Sequence, residues 1–94
     1  MEMEIEGVII RDLGVREGTT GDGRTWKMAS YVIETVEQYP KRMMFDVSDG
    51  ESGRIARLGI AEGKRMMVYF GIDAREHEGR WFNRIQAYDA REQQ

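Results

Sequence analysis

Apolar residues in this chain recur at every second position far more often than at helical spacing, in runs separated by glycine-rich polar stretches. Period two marks strands that lay one face on a core, so the sequence is committed to a small β structure before any single residue is interpreted. Five such runs and one short helical segment can be read. The first strand is expected from about Glu4 to Arg16, with Ile5, Val8, Ile9, Ile10, Leu13 and Val15 as its apolar residues. Gly7 and Gly14 fall where a long strand can bend or bulge, which lets one strand serve two sheets. Glu17 to Arg24 is polar, contains Gly18, Gly21 and Gly23, and reads as a mobile loop.

Trp26 to Val36 alternates in two sets, of which Ala29, Tyr31 and Ile33 are assigned inward and Trp26, Met28, Ser30 and Val32 outward. Pro40 turns the chain, and Lys41 to Val47 resumes as a strand with Met43, Phe45 and Val47 on one side, forming an antiparallel hairpin with the strand before it. Ser48, three residues ahead of Glu51, has the form of a capping box, and a helix of barely three turns is expected from there. Ile55 and Leu58 share its inner face, and Gly59 is placed to end it in a left-handed closure with Ile60 folding back. A helix this short needs an apolar surface to dock on, and the open end of a barrel offers one. Lys64 to Asp73 is the fourth strand, with Met66, Val68, Phe70 and Ile72 on one face. Arg75 to Gly79 is read as a polar hairpin loop, and Arg80 to Tyr88 as the last strand.

Three strands, a helix and two further strands, with a long glycine-bent first strand, is the order of the OB-fold. The fold class expected is therefore all-β, a five-stranded OB-fold barrel with one short helix between strands 3 and 4. A five-stranded antiparallel meander packed on one helix fits the same pattern. At 94 residues the chain has room for one such domain, assigned to residues 1–90, with a charged tail at 91–94 expected to fray.

Composition narrows the function classes. There is no cysteine, which removes disulfide frameworks, thiolate metal sites and cysteine nucleophiles and fits a reducing cytoplasm. The start of the chain is acidic and no apolar run approaches the length of a membrane span, so secretion and membrane insertion are not expected. Fourteen basic against seventeen acidic residues give a net charge of −3, unlike a protein that attaches non-specifically to duplex DNA or anionic lipid. The net negative charge lies in residues 1–22, with six acids against two bases, whereas eleven acids face twelve bases in the rest, which leaves room for a local basic groove further on.

No catalytic constellation is present. Gly59 to Arg65 resembles a phosphate loop only superficially, because its spacing is one residue short, Arg65 stands where a serine or threonine is needed and a strand follows instead of a helix. His77 is the single histidine, between two glutamates at a loop tip, and no glycine-flanked serine turn accompanies it. A non-enzyme without metal or other cofactor is expected. What does stand out is the interleaving of basic and aromatic residues on strands: Arg24, Trp26 and Lys27; Lys41 and Arg42; Lys64, Arg65 and Tyr69; Arg80, Trp81, Phe82, Arg84 and Tyr88. Unpaired nucleic acid exposes a charged backbone and the flat faces of its bases, so a sheet that binds it needs cations beside aromatic rings. In an OB barrel the ligand crosses strands two and three, which puts Trp26, Lys27, Lys41, Arg42, Phe82 and Arg84 forward as nucleic-acid-binding residues. Phe45, Phe70 and Tyr31 are assigned to the core, and Trp81 fits either side.

Val32 to Thr35 followed by Glu37 to Lys41, and the closing Gly79-Arg80-Trp81-Phe82-Asn83 with Ala87, resemble a widespread family of small uncharacterised bacterial proteins also found in phage and mobile elements. The likeness covers nearly the whole chain. It implies an OB-fold related to single-stranded-DNA-binding proteins and suggests the ligand; it carries over no site residues. The chain departs from typical single-stranded-DNA-binding proteins in its paired methionines, Met43-Met44 and Met66-Met67, and in lacking their long acidic or glycine-rich tail. The expectation is a cytoplasmic module that binds single-stranded DNA or RNA weakly and with little sequence preference. The alternative is a protein-interaction or homo-oligomerisation module in which the same aromatic and methionine surface closes against a partner.

Overall fold

A computed structural model describes residues 3–50 and 53–94. Its elements are β1 (Met3–Thr19), β2 (Thr25–Thr35), β3 (Arg42–Ser48), α1 (Arg54–Leu58), β4 (Arg65–His77) and β5 (Arg80–Glu92). The strands close into a barrel in the order β1-β2-β3-β5-β4, with every neighbouring pair antiparallel except β3 and β5. This is the OB-fold, and the meander is excluded because β3 pairs with β5 across the intervening helix and strand.

The long first strand achieves the closure. Met3 to Val8 pairs with β4, while Gly7 to Thr19 pairs with β2, and register shifts between Ile9 and Arg11 and between Asp12 and Val15 bend it from one neighbour to the other. Gly7 belongs to both ladders. A Cβ there would lie 2.2 Å from the Glu34 carbonyl oxygen, so the strands approach too closely for any side chain. Gly14, inside the second bulge, has φ 92 and serves as the left-handed residue.

The core follows the alternation. Ile9, Ala29, Tyr31, Ile33, Phe45, Val47, Met66, Val68 and Ala87 are buried together, with the Tyr31 and Phe45 rings 5.6 Å apart. Phe70 is buried too, and Ile55 and Leu58 of α1 with Ile60 behind it pack on the cluster. The inward assignments of Tyr31, Phe45 and Phe70 therefore hold, as does the left-handed closure at Gly59, φ 61.

Several expectations need correction. The helix does not begin at Ser48, which is the last residue of β3, but at Arg54 after Gly53, and it is five residues long. Asp49 does the capping: its side-chain Oδ1 accepts from the Ile55 amide at 2.9 Å and its carbonyl from Arg54 at 3.0 Å. Glu51, the other half of the expected box, lies outside the described residues. Next, the loop read at 75–79 is only a two-residue turn, with φ of 52 at Glu78 and 80 at Gly79, because β4 and β5 run on as a hydrogen-bonded arm beyond the barrel. Ile72, read on one face with the now buried Met66, Val68 and Phe70, is exposed on that arm. Finally, residues 91 and 92 continue β5 opposite Met67 and Met66, and the Gln93 amide donates to the Arg65 carbonyl at 2.7 Å, so the segment expected to fray is paired. The connection between β1 and β2 is likewise shorter than expected, a turn over residues 20–24 held by the Thr20 amide on the Arg24 carbonyl at 2.7 Å.

Candidate nucleic-acid interface

Because Ala29, Tyr31 and Ile33 face the core, the pleat turns Trp26, Met28 and Ser30 to the outside of β2. Cross-strand pairing sets Ser48 beside Met28, Asp46 beside Ser30 and Arg42 beside Glu34, and the parallel contact of Asp46 with Gln86 brings β5 alongside. The outer face of β2, β3 and β5 is therefore one continuous surface.

At its middle is a small polar network. Ser30 Oγ donates to Asp46 Oδ1 at 2.6 Å, Arg84 Nε lies 3.7 Å from Asp46 Oδ2, and Arg84 Nη2 approaches the Met28 sulfur at 3.2 Å. Arg16 Nη2 reaches the same sulfur from β1 at 4.0 Å. The guanidinium of Arg84 is thus laid across the sheet, with a carboxylate to one side and a polarisable thioether on the other.

Beside this network opens a groove of about 870 Å³, lined among others by Arg16, Trp26, Lys27, Met28, Asp49 and Arg84. Trp26 is 45% exposed. Its indole lies over Gly18 of β1, where an added Cβ would come within 2.7 Å of the indole Cζ2, so the ring rests flat against backbone that carries no side chain. Within the adjoining turn, the Asp22 carboxyl is held below its ordinary pKa, first by the Thr20 hydroxyl and then by the Arg24 backbone amide.

The structure brings Trp26, Lys27 and Arg84 together in this groove. Phe82 lies two residues before Arg84 on the arm, on the same face by the pleat and 53% exposed; Trp81, on the opposite face, is 68% exposed. Lys41 and Arg42 are not in the groove. They sit at the other end of the β2–β3 hairpin, about 20 Å away by strand rise, where the Lys41 amide donates to Thr35 Oγ1 at 2.8 Å and Arg42 Nε is 2.9 Å from Glu34 Oε2. Arg16, Asp46 and Asp49 belong to the site but carry no signal in the sequence, since only the register between strands assembles them; Met28 shares the outward face of β2 with Trp26, as alternation predicts. The basic pair Lys64 and Arg65 lies elsewhere, answered by Glu92 and Glu6. Among the described residues, no three histidine, aspartate or glutamate side chains gather where they could hold a metal ion, and no helix is long and apolar enough to cross a membrane.

Residues 4–91 match a family described as a domain of unknown function, DUF3127. The chain belongs to that family. No curated protein matches the sequence. Among solved structures, the mitochondrial single-stranded DNA binding protein Rim1 of S. cerevisiae is similar at 15% identity and a TM-score of 0.67, over 98% of this chain and 94% of that one. The dimeric N-terminal domain of PriB from Thermoanaerobacter tencongensis gives 9% identity and a TM-score of 0.67, over 99% and 96% of the two chains. A small single-stranded DNA-binding protein from Streptomyces coelicolor gives 8% and 0.53, over 99% and 94%. At these identities the likeness is one of fold, and it gives this DUF3127 chain the OB-fold of single-stranded DNA-binding proteins.

Proposed function

We propose that this protein is a non-enzymatic module that binds single-stranded nucleic acid along the outer face of β2, β3 and β5. The observation that carries the proposal is the half-exposed Trp26 ring beside Lys27 and Arg84 in an open groove. A base stacks on the indole, Phe82 receives another further along β5, and the backbone is met by Lys27 at one end of the face, Arg84 at its middle and Lys41 and Arg42 at the other end. Stacking tolerates any base, so sequence preference is slight. Binding is weak because Glu34 and Asp46 already answer two of the four cations and the net charge is −3.

Oligothymidine added while tryptophan emission is followed at low and then high salt tests the proposal. Quenching that weakens with salt is expected, and a flat titration at low salt ends the proposal. Trp26→Ala and Phe82→Ala should each weaken binding by roughly tenfold, within the ~1–3 kcal/mol of a stacking contact, while leaving the melting temperature within a few degrees. A large drop in melting temperature would instead make the ring structural.

A second reading rests on Leu13 and Val15, both exposed on β1. Single apolar residues on a surface are common, but two on one strand suit a contact between copies of the chain. Sedimentation as a dimer that Leu13→Glu dissociates, together with a flat titration, would put that reading first.

A further inference from the structure

A second pocket, of about 280 Å³, lies where the first residue of α1 meets the base of the β4–β5 arm. Arg54, Arg75 and Arg84 line it together with the carboxylate of Asp73 and the polar side chains of Gln86 and Tyr88. Asp73 lines the pocket opposite Arg84 in the ladder, and Arg84 pairs with Asp46 outside it, so three guanidinium groups are set against two carboxylates and the pocket keeps positive charge. Arg54 Nε is buried and has no hydrogen-bond partner among the described residues. A buried donor left unpaired on a charged group is costly, and a turn of the Arg54 side chain that presents Nε to an acceptor in the pocket would relieve that cost.

We infer that this pocket binds a phosphate group. Its three forked donors suit a tetrahedral oxyanion, which offers several acceptor oxygens to planar guanidinium groups. Arg84 walls both this pocket and the Trp26 groove. Resting on the proposed function, the phosphate is one of the bound strand: a nucleotide beyond the base stacked on Trp26 passes over Arg84 and places its phosphate between Arg54 and Arg75. A free phosphate ion is the other source of the same chemistry.

The Arg54 Nε–H resonance in a nitrogen–proton correlation spectrum reads the site directly. Movement with oligothymidine, and not with chloride at the same ionic strength, is expected. Inorganic phosphate is titrated in parallel: movement with it alone identifies a free-anion site, and movement with neither overturns the inference. Trp26 quenching without movement at Arg54 leaves the strand-binding proposal standing and sinks this one; movement with phosphate but no quenching does the reverse. Arg54→Met removes the unpaired donor, so it should melt no lower than the wild type while losing about tenfold in affinity for the anion. Wild-type affinity in Arg54→Met overturns the inference. Arg75→Gln, on the exposed arm, repeats the measurement with a residue the barrel does not need.

Discussion

Arg84 is fixed by partners of unlike kind, a carboxylate 3.7 Å away and a sulfur at 3.2 Å, and a ligand that reaches it must share it with both. A phosphate reaching Arg84 must compete with the Asp46 carboxylate. Asp46→Asn keeps an acceptor for Ser30 but releases the guanidinium, so the slope of log affinity against log salt should steepen by about 0.7 for a single strand. An unchanged slope would mean that Arg84 does not meet the backbone. Tyr31 offers a test of the core at the same scale. Burial, and then the charge of Asp12 across the ladder, raise its phenol above the ordinary value of 10.0. The folded state therefore holds that proton more tightly than the unfolded chain. The associated stability is complete below pH 10 and is lost as pH rises through the folded pKa. Denaturant titrations from pH 9 to 11 should show a steeper loss in the wild type than in Tyr31→Phe. The packing of Trp26 on Gly18 was not legible in the sequence, because it depends on the Gly18–Trp26 register that the short turn imposes. The exposure of Phe82 was legible from its place two residues before Arg84.

At the scale of elements, alternation located all five strands but misjudged where they stop. Residues 74–77, Ala-Arg-Glu-His, carry no hydropathy signal for a strand, yet they pair with residues 80–83 and so find backbone partners outside the barrel. The end of β5 was hidden for a different reason. The register shift between Tyr69 and Phe70 turns both Ala87 and Ala90 inward, three residues apart, and breaks the period of two that would have revealed them. The arm buries little, so amide exchange at residues 73–83 should be fast while that at 29–33 and 66–68 approaches the global unfolding limit. Uniform protection across both would contradict an independent arm. Gly7→Ala tests the crossing of β1, where a methyl would overlap the Glu34 carbonyl. A loss of about 1–3 kcal/mol is expected from such overpacking, readable as a lower denaturant midpoint, and a neutral effect would show that β1 and β2 separate easily there.

Over the whole molecule, the face from Thr35 to Trp26 is as long as the hairpin, with Trp26 and Lys27 at one end and Lys41 and Arg42 at the other. Oligomers cut to the lower end of the roughly 4–16 nucleotides that an OB-fold accommodates should keep the full Trp26 quench yet lose part of the salt slope. A slope independent of length would remove Lys41 and Arg42 from the site. The fold was legible as an order of elements, whereas the site required the closed ring that sets β5 beside β3.

That closure also dictates a sequence of events at the ribosome. The partner of Met3 to Val8 is the stretch Arg65 to Phe70 of the fourth strand, so a nascent chain ending short of it carries a naked edge able to recruit another polypeptide. Until synthesis passes that point, the growing protein is at its most vulnerable to mispairing.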